Sequence, residues 1–284
     1  MNKFAVFICT HGRPDAQLTL NTLRKCGYSG KIYLVIDDTD ITISQYVDNY
    51  DTDDIIIFDK NHYINSCKDT GDNAGHYKCI LYAKNAVEDI AHDLGLDAFM
   101  LIDDDITNFR YRYVQDNKLR SLPVLNLDDV IVAYTNYITL NDIKCLGFCG
   151  ASHYFVGTSV YDSDRLIDNR YPYQVYIRNT KYKIDWISWY GEDDITMLLD
   201  ECVGGFWLNL PFVQYDCVMV GDTNKSGGMV DEYKNNSSYK LNMIKKQFCI
   251  SQLKLRPYKD RFITTTIKDT SCVKLISDSY KKEN

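Results

Sequence analysis

Hydrophobic residues recur along the first hundred positions in short runs that are separated by amphipathic stretches. The runs are rich in Val, Ile, Phe and Tyr, and they predict strands at residues 3–9, 31–36, 54–58 and 97–102. The spacing of apolar positions between these runs predicts helices at residues 15–26, about 41–49 and about 74–94. Repeated strand–helix units predict an α/β fold with a mostly parallel central sheet, in which ligands bind beyond the carboxyl ends of the strands.

The pattern is less regular after residue 110. It predicts a hairpin, then helices at about 126–139, 192–202 and about 237–250, strands near 143–149, 153–160 and 212–220, and a glycine-rich loop at 221–229. We therefore expect one large α/β domain over residues 1–230, with residues 231–284 forming a basic, helical or irregular extension packed on the same domain.

Polar and charged residues follow each of the four N-terminal strands. Because the carboxyl ends of parallel strands share one edge of a sheet, we expect these residues to lie near one another. They are Thr10, His11, Gly12, Arg13 and Pro14 after the first strand, Asp37 and Asp38 after the second, Asp59 and Lys60 after the third, and Asp103, Asp104 and Asp105 after the fourth.

The three consecutive aspartates after the fourth strand are the strongest chemical signal in the chain. Adjacent carboxylates repel one another by about 1 kcal/mol per close pair even in water, so a buried strand that ends in three of them favours a bound cation. Oxygen ligands favour Mg²⁺ or Mn²⁺, which usually complete their coordination with water and substrate phosphates. The alternative is a solvated acidic turn after a buried strand.

A second acidic cluster, Glu192, Asp193 and Asp194, follows Trp189 and Gly191 and begins a predicted helix. Acidic residues in a first helical turn are stabilised by the helix dipole, so a good helix start is one explanation. The functional explanation is a carboxylate that is held ionised as a general base for an acceptor hydroxyl. The tryptophan face could then form the floor of a sugar-sized pocket.

Composition restricts the class of protein. The chain has 284 residues, of which 45% are hydrophobic, and it contains no apolar run near 18 residues, which argues against a membrane span. Met1 leads directly into a strand-like segment, so we expect no signal peptide. The ten cysteines are scattered without a CxxC pair, a distribution that favours reduced thiols and a cytoplasmic location.

The net charge of −7 is unevenly distributed. Residues 225–284 carry +7 and the preceding 224 residues carry −14. A solvated helix and tail would explain the basic segment. Its basic residues are also interleaved with aromatic rings in a way that suits an anionic polymer, at Lys245, Lys246, Phe248, Lys254, Arg256, Tyr258, Lys259, Arg261 and Phe262.

Together these motifs resemble the GT-A class of nucleotide-sugar glycosyltransferases over roughly residues 3–230. The Asp103–Asp105 triplet is similar to the DxD motif that in this class binds a metal ion and the donor diphosphate. The string from Trp189 to Asp194 is similar to the helix start that carries the catalytic base, which implies that Asp193 is the base and that Glu192 or Asp194 orients the acceptor. Asn73-Ala74-Gly75 followed by Ala83-Lys84-Asn85 resembles the family's Asn-x-Gly and Ala-Arg-Asn motifs, with Lys84 in place of arginine.

The resemblance also implies donor-binding positions. The loop from Thr10 to Pro14 resembles the nucleotide-facing loop, and Asp37 or Asp38 the carboxylate that contacts uracil or ribose. The donor-binding residues implied are Thr10, His11, Arg13, Asp37, Asp38, Asn73, Lys84, Asp103 and Asp104. The implied metal ligands are Asp103, Asp105 and a third candidate, Asp222.

Within this class the chain looks most like the TET-associated glycosyltransferases. The features that carry this resemblance are the Thr-x-Gly-Arg-Pro start, the segment Gly71-Asp72-Asn73, the acidic triplet, the Gly-Glu-Asp helix start and the late Ser226-Gly227-Gly228-Met229. The branch implies a Mn²⁺- or Mg²⁺-dependent enzyme that transfers a sugar from a UDP-sugar or a related donor to 5-hydroxymethylpyrimidine in phage DNA.

Three other functions remain open from the sequence. The same donor half could serve a protein or glycan hydroxyl as acceptor. A nucleotidyltransferase can have a similar sheet, although the loop after the first strand is poor in the glycines that such enzymes use. A non-catalytic DNA-binding module would rely on the basic C-terminal segment alone.

Overall fold

The computed structural model describes residues 3–68, 75–116, 118–154, 172–218, 254–258 and 261–265. The strands are β1 (Phe4–Cys9), β2 (Ile32–Asp37), β3 (Ile55–Phe58), β4 (Ala98–Asp103), β5 (Ile106–Gln115), β6 (Lys118–Pro123), β7 (Cys145–Gly150), β8 (Val175–Asn179), β9 (Trp207–Cys217), β10 (Lys254–Tyr258) and β11 (Arg261–Thr265). The α-helices are α1 (Leu18–Lys25), α2 (Ile43–Asn49), α3 (Lys60–Ser66), α4 (Leu81–Asp93), α5 (Leu127–Leu140) and α6 (Glu192–Cys202). Short 3₁₀ turns occur at Thr52–Asp54 and Ala151–Tyr154.

Nine of the described strands form one sheet in the order β3-β2-β1-β4-β8-β7-β9-β5-β6. Strands β3, β2, β1 and β4 are parallel neighbours, and β9 is parallel to β7. Strand β8 lies antiparallel between β4 and β7, and β5 is antiparallel to both β9 and β6. Only β8 and β5 of these nine strands therefore run against the others, which confirms the predicted α/β fold with a mostly parallel centre.

The central strands are continuously apolar because helices cover both faces of the sheet. Alternate side chains of β1 point to opposite faces, so Val6 and Ile8 join one core cluster while Phe7 joins the other. The first cluster packs against α1, α2 and α5, and the second against α3, α4 and α6. Strand β4 is fully buried from Ala98 to Ile102, and each large apolar side chain buried in this way stabilises the fold by about 1.5 to 3 kcal/mol.

Two predicted helices begin later than their apolar spacing indicated. Helix α4 begins at Leu81 instead of residue 74, because the backbone at Gly75 adopts a left-handed conformation (φ +84°) that a right-handed helix cannot include. Helix α1 begins at Leu18 instead of residue 15, because a turn in which Ala16 donates to the carbonyl of Arg13 precedes it.

Strand β9 begins at Trp207, five residues before its predicted start. The pairing register of β7 with β9 shifts between Phe148 and Cys149, so Pro211 and Phe212 fall in an irregular stretch of β9. A proline that lacks a backbone N–H is accommodated in such a stretch, which is why the strand continues on both sides of it. The sequence analysis also missed α3 and β8.

Several predicted elements lie wholly or partly outside the described residues. These are most of the strand at 153–160, the glycine-rich loop at 221–229 and the helix at 237–250, while residues 151–154 form a 3₁₀ turn. The described part of the C-terminal extension is an antiparallel hairpin of β10 and β11, where we had expected helical or irregular structure. No helix in the described ranges has the length and apolarity needed to cross a membrane.

Candidate active site

The carboxyl ends of β1, β2 and β4 bring the predicted polar residues to one edge of the sheet. The pairing register places Cys9, the last residue of β1, beside Val35 of β2 and Asp103 of β4. The residues that follow these strand ends therefore meet, as the alternating pattern predicted. Among the described positions, Thr10, Arg13, Asp37 and Asp104 are all at this edge.

Asp104 ties the loop after β1 to the end of β4. Its two carboxylate oxygens accept hydrogen bonds from the hydroxyl of Thr10 (2.9 Å) and from Nη1 of Arg13 (2.5 Å). Gln17 donates a further hydrogen bond to the Thr10 hydroxyl at 2.9 Å, and the hydroxyl of Tyr46 lies 3.0 Å from it. Because both oxygens of Asp104 are engaged, this carboxylate fixes the loop after β1 against the end of β4.

Asp103 and Asp105 are the other members of the triplet. Burial, followed by repulsion from the carboxyl of Asp105, raises the pKa of Asp103 well above its usual range. Burial, followed by repulsion from Asp104, raises the pKa of Asp105 to about 6. Oδ1 of Asp105 is buried and has no hydrogen-bond partner among the described residues. A buried carboxylate oxygen without a partner is costly unless something else binds it.

A charged network surrounds Asp37 at the end of β2. Its carboxylate lies 2.7 Å from Nδ1 of His11 and 3.3 Å from Nζ of Lys60, and it accepts hydrogen bonds from Thr39. The hydrogen bond to Asp37 raises the pKa of His11, although partial burial opposes this effect. Burial would raise the pKa of Asp37, but His11, Thr39 and Lys60 together hold it below its usual range. This network therefore favours the ionised form of Asp37 and the protonated form of His11.

The neighbouring carboxylates, Asp38 and Asp40, fix the backbone around this network. Asp38 accepts from the backbone N–H of Lys60 at 3.0 Å, at the beginning of α3. Asp40 accepts from the backbone N–H of Gly12 at 2.6 Å and from both the N–H and the hydroxyl of Thr42. The loops after β1, β2 and β3 are therefore joined by carboxylate-to-backbone bonds.

The acidic cluster at residues 192–194 begins α6, as predicted. Gly191 precedes it in a left-handed conformation (φ +71°), which favours glycine and lets the chain turn sharply into the helix. Glu192 and Asp193 both bind the ammonium of Lys84, at 2.9 Å and 2.5 Å. Asp194 accepts from the hydroxyl of Tyr173 at 2.5 Å. Each acidic side chain of this turn therefore has an assigned contact.

Lys84 is the centre of this part of the site. Its residue surface is only 3% exposed, and its ammonium lies 4.6 Å from the centre of the Trp186 ring. Burial lowers its pKa, but Asp193, Glu192 and more distant groups that include Asp103 outweigh burial and leave the pKa well above the usual value. Lys84 is therefore charged, and its ammonium binds the first two residues of α6.

Asp193 keeps a small exposed surface, with its side chain 17% exposed. Burial raises its pKa to about 6, against the lowering influence of Lys84, while Glu192 adds to the increase. A carboxylate with a pKa near 6 is mostly ionised at neutral pH and accepts a proton more readily than an ordinary aspartate.

The predicted role of Trp189 as a sugar-binding floor does not agree with the structure. Trp189 is 1% exposed, and one face of its ring stacks on the imidazole of His76 at 3.7 Å with the planes nearly parallel. The ring is thus part of the packing beneath the start of α6. Two other predicted residues, Asn73 and Asp222, and the loop Ser226–Met229 lie outside the described residues.

Contacts that were not predicted from the sequence hold the segment leading into α6. Asn85 donates to the carbonyl of Trp186 at 3.0 Å and accepts from its N–H at 3.1 Å. Glu88, one turn further along α4, accepts from the indole N–H of Trp186 and forms a fully buried ion pair with Arg178 at 2.9 Å. Helix α4 thereby fixes both Lys84 and the approach to Asp193.

Asp40 and Tyr173 were also missed as parts of the site. Lys60 was named among the strand-end residues but was given no role; it begins α3, and Asp59 is the N-cap of that helix. For Asp40 the signal was the spacing Asp40-x-Thr42, which is typical of a capped turn. Tyr173 has no comparable sequence signal, because its contact with Asp194 depends on how the segment before β8 packs.

The carboxylates at this edge provide part of a ligand set for a divalent cation. Across the described ranges, no three His, Cys, Asp or Glu side chains are arranged to hold a metal by themselves. Magnesium-type ions commonly use one or two protein carboxylates and take their other ligands from water and phosphates. Asp105, with its unpaired buried oxygen, and the adjacent Asp103 fit such a partial set.

The sheet order, with polar strand ends at one edge, is that of the GT-A fold. The structure is similar to that of mannosyltransferase PcManGT from Pyrobaculum calidifontis in complex with GDP-Man and Mn²⁺, with a TM-score of 0.50 and 10% identity, over 88% of this chain and 65% of that chain. A family model identifies the particular family. The chain belongs to the TET-Associated Glycosyltransferase family, whose model matches residues 4–228.

Two further solved structures show similarity at lower scores. Staphylococcus aureus TarS 1–349 in complex with UDP-GlcNAc has a TM-score of 0.44 and 12% identity, over 86% of this chain and 66% of that chain. Glucosyl-3-phosphoglycerate synthase from Mycobacterium tuberculosis has a TM-score of 0.47 and 9% identity, over 89% and 84% of the two chains. This chain spans just under two thirds of the mannosyltransferase and TarS chains. A search of curated proteins found no match.

Proposed function

We propose that this glycosyltransferase moves a sugar from a nucleoside-diphosphate sugar, with uridine as the expected nucleoside, to the hydroxyl of a 5-hydroxymethylpyrimidine in phage DNA. The observation that carries the proposal is the position of Lys84, a buried cation that binds the candidate base Asp193 and whose charge is also felt by Asp103 at the end of β4. The group that would receive a proton and a group that would face the donor phosphates are therefore both influenced by one buried ammonium.

The donor half of the site is the edge formed by β1, β2 and β4. We expect Thr10, His11, Arg13, Asp37 and Asp38 to face the nucleoside and its phosphates. His11, when protonated, presents a positive charge beside the fixed carboxylate of Asp37. The imidazolium would suit an anionic phosphate, and the carboxylate would suit the hydroxyl or imide donors of the nucleoside. Lys60 extends the same network towards β3.

Asp105 and Asp103 would hold Mn²⁺ or Mg²⁺ here, with Asp222 proposed as a third ligand. When bound, the ion would neutralise charge that develops on the departing diphosphate. Burial and mutual repulsion raise the pKa values of both described carboxyls, so a cation at this position would relieve an existing electrostatic cost.

In an inverting reaction, the acceptor oxygen forms a bond to the anomeric carbon while the bond from that carbon to the diphosphate oxygen breaks. Asp193 takes the proton of the acceptor hydroxyl, and the electron pair of the broken bond leaves with the diphosphate. Lys84 holds the Asp193 carboxylate in one orientation, while Glu192 or Asp194 orients the acceptor. If the reaction retains configuration, Asp193 positions the acceptor without taking the proton.

Family membership sets aside the non-catalytic DNA-binding module as an explanation of the whole chain. A protein or glycan hydroxyl remains the alternative acceptor. Incubating labelled UDP-sugars with hydroxymethylated DNA, unmodified DNA and a protein mixture separates these acceptors. Label in the hydroxymethylated DNA alone supports the proposal, and label in protein alone overturns the acceptor assignment.

The role of Asp193 is tested with the Asp193→Asn variant. We expect transfer to fall by about 10² to 10⁴-fold, because proton acceptance is lost while the shape of the side chain is kept. Donor binding, measured by calorimetry, should stay within about twofold of wild type. The matched control is Asp93→Asn, at an exposed aspartate at the end of α4. Equal loss of donor binding and transfer in Asp193→Asn would contradict the assigned role.

A further inference from the structure

The hairpin of β5 and β6, residues 106–123, leaves the proposed site along the edge of the sheet. Strand β5 begins at Ile106, the residue that directly follows the acidic triplet, and β6 is the outermost strand of the nine. We call this hairpin the β5–β6 ribbon. It starts beside the acidic triplet of the proposed site and extends away from it, so it is placed to contact the remainder of a polymeric acceptor that is modified in that site.

The charge of the ribbon is opposite to that of its surroundings. The ribbon has four basic residues, Arg110, Arg112, Lys118 and Arg120, and one acidic residue, Asp116. It carries a net charge of +3 within residues 1–224, which carry −14 as a whole. The other residues of that part of the chain therefore carry −17, and the ribbon is a basic strip beside an acidic body.

Two of the basic residues are already engaged by the protein. Arg110 forms an ion pair with Asp216 at 2.9 Å, and Arg112 binds the side-chain oxygen of Gln214 and lies 4.7 Å from the centre of the Tyr154 ring. These contacts hold the two arginine side chains of β5 against residues of β9 and against Tyr154. The basic side chains of β6 are therefore the ones available to bind a ligand.

Lys118 and Arg120 are exposed and make no ion pair with the described residues. Arg120 lies opposite Tyr113, and Lys118 lies opposite Gln115, in the antiparallel pairing. Residues directly opposite one another share a face of a sheet, so Lys118, Arg120 and Tyr113 are on the same face. Tyr113 is 38% exposed. An exposed ring beside two unpaired cations matches a strand that carries both phosphates and base rings.

The length of the ribbon also fits a polymer. Tyr113 is eight residues beyond Asp105, which corresponds to about 26 Å at roughly 3.3 Å per residue. Nucleotides in duplex DNA rise about 3.4 Å each along one strand. A strand with its modified base in the proposed site would therefore reach Tyr113 and Arg120 within about seven or eight nucleotides.

From this placement we infer that the β5–β6 ribbon binds the DNA strand that carries the acceptor base, with Lys118 and Arg120 at phosphates and Tyr113 against a base. The inference rests on the proposed function, because it takes DNA as the acceptor. Charged residues on an edge strand can instead serve only to prevent pairing with another sheet, and that role requires no DNA contact.

The test compares wild type with Lys118→Gln/Arg120→Gln, using fluorescein-labelled single-stranded oligonucleotides that contain one 5-hydroxymethylcytosine. Anisotropy titrations across a range of salt concentrations, on 4-mers and 20-mers, give affinity and its salt dependence. The double variant should bind the 20-mer at least fivefold more weakly. The slope of log affinity against log salt should fall by about 1.4, at roughly 0.7 per lost phosphate contact. Binding of the 4-mer and kcat on it should not change.

The matched control removes two positive charges elsewhere. Lys25→Gln/Lys31→Gln alters residues at the end of α1 and just before β2, six strands away from β5 in the sheet. This control should keep the wild-type affinity and salt slope on both oligonucleotides. Tyr113→Ala should weaken binding of the 20-mer with no change in the salt slope, because a ring contact releases no counterions.

The outcomes separate the two proposals. If wild type modifies hydroxymethylated DNA and the ribbon variant binds the 20-mer with unchanged affinity and slope, the ribbon inference is overturned and the proposed function stands. If wild type neither binds nor modifies DNA, the proposed acceptor is overturned together with the ribbon inference. Selective loss on the 20-mer supports both.

Discussion

Replacing Lys84 by methionine removes the positive charge between Glu192 and Asp193 while keeping much of the side-chain volume. Lys84 is 3% exposed, and its ammonium lies 2.9 Å from the Glu192 carboxylate and 2.5 Å from the Asp193 carboxylate. Loss of the ammonium therefore leaves two buried carboxylates without the positive charge that binds both of them. Removing one partner of a buried ion pair typically costs about 3 to 5 kcal/mol. We expect a loss of that size in the free energy of unfolding of Lys84→Met, measured by urea denaturation at pH 8.

The same substitution should change the pH dependence of transfer. Asp193 has a pKa of about 6 in the presence of Lys84, which lowers that pKa, so wild-type kcat/KM should decline as pH falls through about 6. A nearby opposite charge typically shifts a carboxyl pKa by about 1 to 3 units. In Lys84→Met the acid limb of the profile should therefore move to higher pH by about that amount, and much of the transfer activity that is lost at pH 7 should return at pH 9.

Lys84→Arg is the matched control, because it restores the charge. It should keep the acid limb within about half a unit of wild type, although the larger guanidinium costs some stability through overpacking. The reasoning would be refuted by an acid limb in Lys84→Met that coincides with that of wild type. It would also be refuted by loss of donor affinity with an unchanged profile, since that result would make Lys84 a donor-binding residue.

Three further results follow from the structure. Asp105→Asn should abolish the increase in donor affinity that Mn²⁺ produces in calorimetry, and an unchanged increase would contradict the metal assignment. The hydrogen bond to Asp37 raises the pKa of His11. The protonated imidazole therefore stabilises the fold fully below about pH 6.5, and this contribution is lost as pH rises through the raised pKa. His11→Gln should lower the free energy of unfolding more at pH 6 than at pH 9, as measured by urea denaturation. Arg178→Met should cost about 3 to 5 kcal/mol of unfolding free energy by breaking the buried pair with Glu88, and Arg178→Met/Glu88→Leu should recover much of that loss.

The parts of the fold that the sequence predicted are those set by local pattern. Strand β4 was predictable because five consecutive apolar residues end in carboxylates, and α6 because Gly191 and three acidic residues mark its beginning. The meeting of strand ends at one edge then followed from the parallel arrangement. These inferences needed only the direction of each strand and the position at which it ends.

The parts that were missed depend on contacts between distant segments. Strand β8 is a five-residue segment that becomes a central strand only because β4 and β7 are available on either side of it. The buried face of α4 was also only partly predicted, because it includes the charged residues Lys84 and Glu88 in place of a purely apolar stripe. Their partners lie 108 and 90 residues further along the chain, so no local periodicity could identify them.

The insertion of β8 beside β4 has a consequence for the order in which this enzyme acquires activity. Until residues 175–179 have been synthesised, β4 has no partner on the side that faces away from β1. A ribosome-bound fragment that stops before this point would expose a row of unpaired backbone groups next to the acidic triplet, and it would lack Asp193, the proposed proton acceptor. Pairing between such distant segments is slow compared with local structure formation. Glycosyl transfer should therefore begin only after β8 has inserted between β4 and β7. The onset of activity during synthesis would then report that the centre of the sheet has formed.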